Sequence, residues 1–143
     1  MTTLQPSLLL RRALLADGLV GVATAAQLLL LADWLSGLLA LPRELLLGAA
    51  LVLLPLAAFL LWLSRRESMA RAAVYTVIGL NALWVVHSVL LLLSGWVTPN
   101  LLGYAFVIVQ AVAVLVFIEL ELIGLKRSQV VPGAFAQTSV GAQ

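Results

Sequence analysis

The chain has 143 residues, of which 64% are hydrophobic and 10% charged, with a formal charge of +2 and a mean hydropathy of +1.16. Soluble domains average about 45–50% apolar and about 25% charged residues, so this composition excludes an ordinary soluble domain and points to a membrane protein. The absence of cysteine excludes disulfides, thiol chemistry and Cys-ligated metals, and the eight Lys and Arg sit at the ends of apolar runs rather than in a patch that would bind nucleic acid.

Met1–Leu10 is a short lead-in before Arg11-Arg12, and the apolar run Ala13–Ala32 forms the first predicted span. Ala23-Thr24-Ala25 resembles a signal-cleavage site, but Asp17 interrupts the apolar region and the run continues past Ala25, so an uncleaved helix is expected. Asp33-Trp34 closes this helix, and residues 36–41 are expected to be a short connection. Pro42 suits the first turn of a second span, Leu45–Leu63, and Pro55 should kink it.

After Arg65, Arg66, Glu67 and Arg71, the third span is Ala72–Leu93, 22 residues without a formal charge. At ~1.5 Å per residue this suffices for a ~30 Å hydrocarbon core. Asn81, Trp84 and His87 interrupt its apolar surface, which places the segment in a bundle rather than alone in lipid. Thr98-Pro99 reads as an N-cap followed by the first helical residue, and Leu101–Leu125 is the fourth span. Residues 1–127 are thus expected to form a four-helix transmembrane domain, with 128–143 a mobile tail lacking an apolar period.

The three flanks at residues 11–12, 64–71 and 126–127 carry seven Lys and Arg, against Arg43 alone on the opposite connections. The positive-inside rule then puts both termini in the cytoplasm, and short connections give an up-down-up-down bundle. A bacterial inner-membrane location is expected. Trp34, Trp96 and Tyr104 would mark one boundary, and Trp62 and Tyr75 the other.

Two polar layers follow from counting inward at ~1.5 Å per residue. Asp17 and Glu121 lie about 7 Å from their basic boundaries, Glu119 about 10 Å and Asn81 about 15 Å. Gln27, His87 and Gln110 lie about 22–24 Å up. Membrane-embedded acids often mark proton or cation pathways. The plainer reading pairs them with snorkelling arginines (Arg11, Arg12, Arg65, Arg66 or Arg71), and that pairing is expected here. Glu119 and Glu121 point about 160° apart on a helix, so both cannot face one interior. Asn81 and Ser88 share a face near Trp84 and read as interhelical glue. His87 is expected inside, bonded to Gln27 or Gln110; a single histidine without cysteine is a poor metal or haem ligand set. Gly18, Gly21 and Ala25 form a small-residue stripe for helix packing, and Pro55 is assigned to packing as well.

The stretches Leu80–Pro99 and Phe117–Arg127, with the Leu10–Asp17 segment LRRALLAD, resemble small bacterial four-span integral membrane proteins that have no assigned activity. The resemblance covers most of the chain up to Arg127 and implies topology without mechanism. Small multidrug-resistance transporters are similar in layout only, because their acidic first-helix motif is not reproduced around Asp17. No phosphate loop, nucleophile motif or metalloprotease motif is present, and no enzyme activity or cofactor is expected. The leading expectation is an accessory or scaffold subunit, packed in a homo-oligomer or a larger membrane complex. The alternative is a small oligomeric transporter using Asp17 with Glu119 or Glu121, and a third is a lipid-, quinone- or pigment-binding subunit.

Overall fold

The computed structural model describes residues 2–131. The described residues form five helices and three very short strands: β1 (Thr3–Gln5), α1 (Leu8–Leu30), α2 (Ala32–Leu39), α3 (Arg43–Ser64), β2 (Met69–Ala70), α4 (Arg71–Leu93), α5 (Leu101–Lys126) and β3 (Gln129–Val131). Four of the helices, α1, α3, α4 and α5, are long and apolar enough to cross a membrane. The architecture is a multi-pass helical bundle.

Each helix boundary has a local cause. Ser7 caps α1: its extended backbone lets Oγ accept the Leu10 N–H at 3.2 Å. The first helix therefore starts five residues before the expected Ala13. At its other end Leu31 leaves helical geometry (φ −117°, ψ 19°), and the chain resumes as α2, with Asp33 in the first turn. A helix thus stands where a connection was expected over residues 36–41. It ends at Ala40, whose φ of 53° is left-handed, and the Ser36 hydroxyl bonds the Leu41 carbonyl at 2.6 Å. At α5 the cap is Asn100, not Thr98: its Oδ1 accepts the Gly103 N–H at 2.9 Å. Asn100 also donates from Nδ2 to the Leu38 carbonyl at 2.8 Å, so the same residue starts α5 and holds the end of α2. Pro55 lies inside an unbroken α3 with its ring exposed, which corrects its assignment to helix packing.

The small-residue stripe on α1 faces α3. A Cβ on Gly18 would meet Leu61 at 2.9 Å, one on Gly21 would meet the Ala57 Cβ at 3.1 Å, and Ala25 is fully buried. Absent side chains let the two backbones approach, and dispersion contacts then replace bulk. Gly124 does the same between α5 and α1, since its Cβ would lie 2.7 Å from the Leu10 Cα. Beside that contact the Ser7 hydroxyl donates to the Gly124 carbonyl at 2.7 Å, and the Ser128 hydroxyl donates to it at 2.8 Å.

The strands form one antiparallel sheet in the order β2-β1-β3, pairing Thr3 with Ala70 and Val131, and Leu4 with Met69 and Val130. The start of α1, the α3–α4 connection and the end of α5 therefore meet at one end of the bundle, called here the sheet end. The expected tail begins with a strand, because Gln129–Val131 find paired backbone on β1; residues 132–143 lie outside the described residues. Two apolar clusters fill the interior. One near the sheet contains Leu4, Leu10, Leu14, Leu60, Leu63 and Val77, and one at the far end contains Ala25, Leu28, Leu35, Leu46, Ala50 and Val107.

Candidate functional site

Between the two apolar clusters, three helices bring polar side chains together. Asn81 on α4 donates from Nδ2 to Asp17 Oδ2 on α1 at 2.7 Å and to Glu121 Oε2 on α5 at 3.4 Å. All three residues are buried: Glu121 is 0% exposed, Asn81 3% and Asp17 7%. The two carboxyl groups are thereby held on one amide nitrogen, where two full negative charges would repel each other in an apolar interior. Glu121 Oε1 is a buried oxygen without a partner among the described residues.

The expected arginine partners are elsewhere. Among the described residues the ion pair is Arg43 with Asp33, at 2.6 Å and on the surface. Arg11 reaches the Ser64 carbonyl with Nε at 3.4 Å, Arg66 stacks over Trp62 at 5.0 Å, and Arg71 stacks over Tyr75 at 5.6 Å. The physical reason on α1 is azimuth: at ~100° per residue Arg11 and Arg12 lie about 120° and 140° around the helix from Asp17, so they leave it on another face while Asp17 points into the bundle.

Glu119 and Glu121 separate as a two-residue step on a helix requires: Glu121 faces inward, and Glu119 is exposed on the outer face of α5. Glu119 therefore does not join the site.

A second polar cluster lies farther from the sheet. The Trp84 Nε1–H donates to Gln110 Oε1 at 2.6 Å, Gln110 Nε2 donates to Ser88 Oγ at 3.0 Å, and the Ser88 hydroxyl donates to the Trp84 carbonyl at 2.8 Å. Gln27 and His87 do not take part. Both are exposed, and the His87 ring bonds through Nδ1 to the Leu83 carbonyl one turn back, at 2.8 Å. Their expected interior placement came from depth alone. His87 sits about 120° around α4 from Asn81, at ~100° per residue, and so faces outward.

A cavity of about 70 Å³ connects the two clusters, with Asp17 and Asn81 at one end and Trp84 and Gln110 at the other. Thr24 and Phe117 also line it, in otherwise apolar walls. The proximity of Asp17 to Glu121 was not legible beforehand, since it depends on which faces of α1 and α5 meet. The available signal was Gly124, one turn after Glu121, whose missing side chain lets α5 close on α1.

No family model, no curated protein and no solved structure matches the chain.

Proposed function

We propose that this is a small proton-coupled membrane transporter whose proton site is the Asp17–Asn81–Glu121 cluster. One observation carries the reading: two buried carboxyl groups meet inside the bundle without a basic partner among the described residues. A purely structural acid pair at this depth is costly, and arginine or lysine is the usual compensation. A pair that shares a proton instead carries one negative charge rather than two, and it can give up and regain that proton reversibly, which is what a proton carrier needs.

The amide favours a proton over an alkali cation. Asn81 presents its NH₂ donor to both acids, so it offers them hydrogen and offers a cation no ligand on that side. A metal cation needs several converging oxygens. A proton needs only the two carboxyl groups.

The bundle is proposed to lie in a bacterial inner membrane, up-down-up-down, with both termini cytoplasmic. The seven-to-one distribution of Lys and Arg supports that orientation. The sheet supports it as well, since it gathers the ends that carry those charges. Labelling Ser68→Cys and Leu38→Cys with an impermeant reagent tests this. Only position 38 should react from outside intact cells, and reaction of position 68 would reverse the orientation.

The functional test uses the purified full-length chain in vesicles. Asp17→Asn and Glu121→Gln should each abolish proton flux while helical content and thermal unfolding remain close to those of the parent. Unchanged flux in both variants would refute the proposal. A second reading, membership of a homo-oligomer or larger membrane complex, is favoured by Gln27, His87 and Glu119. These polar side chains point outward from the bundle at positions within the spans, where lipid alone leaves them without partners. Native mass spectrometry from lipid nanodiscs distinguishes monomer from assembly.

A further inference from the structure

We infer that the cavity above the acid pair is a hydrated vestibule, and that the pair exchanges its proton through it rather than through the sheet end. The inference rests on reading the pair as a proton site.

The two approaches to the acids differ in construction. On the sheet side, Glu121 is followed one turn later by Gly124, whose backbone presses on Leu10, and the Ser7 hydroxyl closes the same seam. Beside them, Leu10, Leu14, Leu60, Leu63, Val74 and Val77 form a continuous apolar plug, each at most 2% exposed. Within that plug a proton has no polar side chain to use, and the seam hydroxyls of Ser7 and Ser128 lie on its far side from the acids, bonded to the Gly124 carbonyl.

On the other side the 70 Å³ cavity begins at Asp17 and Asn81 themselves. A single water needs ~10–15 Å³ of such space and occupies about 30 Å³ in the liquid, so the cavity has room for two or more molecules. A dry cavity is apolar throughout, whereas this one has polar groups at both ends: Asp17 and Asn81 below, Gln110 and the Thr24 hydroxyl above. Beyond it the Trp84–Gln110–Ser88 cluster extends the polar trail along α4 and α5. The far cluster draws its buried residues from α1, α2, α3, α5 and their connections, while α4 contributes only the partly buried Leu91 and Leu92. The barrier on that side is thinnest next to the polar trail. In the exchange, a carboxyl O–H bond of the pair breaks, its proton passes to a cavity water as hydronium, and a carboxylate remains. No electron pair leaves the site.

The test uses full-length protein in vesicles of one orientation, with pH stepped on one face at a time. The carboxyl-stretch infrared band of Glu121, assigned by its loss in Glu121→Gln, reports protonation. A step on the face bearing the α4–α5 connection should shift the band at least tenfold faster than a step on the sheet face. Ala113→Leu, which fills the cavity, and Thr24→Val, which removes a hydroxyl at nearly constant volume, should each slow that response several-fold; Thr24→Val keeps the test valid if the larger change prevents folding. An equal or faster response from the sheet face would overturn the inference, as would an unaltered rate in a folded Thr24→Val protein. A Glu121 band that responds from neither face at any pH would overturn the proton-site reading, and this inference with it.

Discussion

Two polar layers cross the interior of this bundle, and they differ in whether their hydrogen-bond donors and acceptors match. In the layer farther from the sheet, the Trp84 indole, the Gln110 amide and the Ser88 hydroxyl each donate to a neighbour. In the layer nearer the sheet, the four oxygens of two carboxyl groups have one amide NH₂ to share, and Glu121 Oε1 is fully buried without a partner among the described residues. Matched layers hold helices together; an unmatched layer leaves room for something else to complete it, which under the proposed function is a proton. Buried polarity is thus not one signal but two, separated by counting hydrogens.

The largest stability effect should come from the unmatched layer. Asn81→Leu removes the donor shared by Asp17 and Glu121 and strands two buried acceptors, at a cost of about 2–4 kcal/mol. That exceeds the ~0.6 kcal/mol average for an interhelical polar contact. Equilibrium unfolding in detergent measures it, and a loss below about 1 kcal/mol would mean the acids do not depend on the amide.

In the matched layer Gln110→Leu should cost about 1–2 kcal/mol, because it strips the acceptor from a partly buried indole N–H while Ser88 keeps the Trp84 carbonyl. The comparison sharpens with Trp84→Phe added to Gln110→Met. Removing both partners leaves little unsatisfied, so the double variant should lie within about 1 kcal/mol of the parent in the same assay. A double variant as damaged as Asn81→Leu would erase the distinction between the layers.

The smallest effect belongs outside both. His87→Leu should change stability of the isolated protein by no more than about 0.5 kcal/mol, since its ring bonds only the carbonyl of its own helix. A larger loss in the native membrane than in detergent would identify His87 as a contact to another chain.

Hydropathy made the four long helices legible, because a span needs only length and apolar composition and α1, α3, α4 and α5 have both. Angles along one helix were legible too: Asn81 and Ser88 are both buried, and Glu119 and Glu121 separate. Depth without azimuth was misleading, as Gln27 and His87 show. The break at Leu31 has no proline or glycine to announce it, and α2 owes its place to packing of Leu35 and Leu39 against neighbouring helices. Strands of two or three residues carry no period of their own, so their pairing is decided by tertiary approach. The meeting of Asp17 with Glu121 belongs to the same class, a long-range juxtaposition set by Gly124 rather than by either acid.

The order of strands in the small sheet bears on how the chain is made. β1 is central, yet it leaves the ribosome first; β2 follows only after three helices, and β3 only after all five. At roughly 5–20 residues per second, the first strand waits on the order of ten seconds for its last neighbour. Until then its edge is unpaired at the membrane surface, where a chaperone or a foreign strand can occupy it. Closing the sheet therefore waits until all five helices have been made, and a chain truncated before Gln129 would carry those helices with that edge still open to quality control.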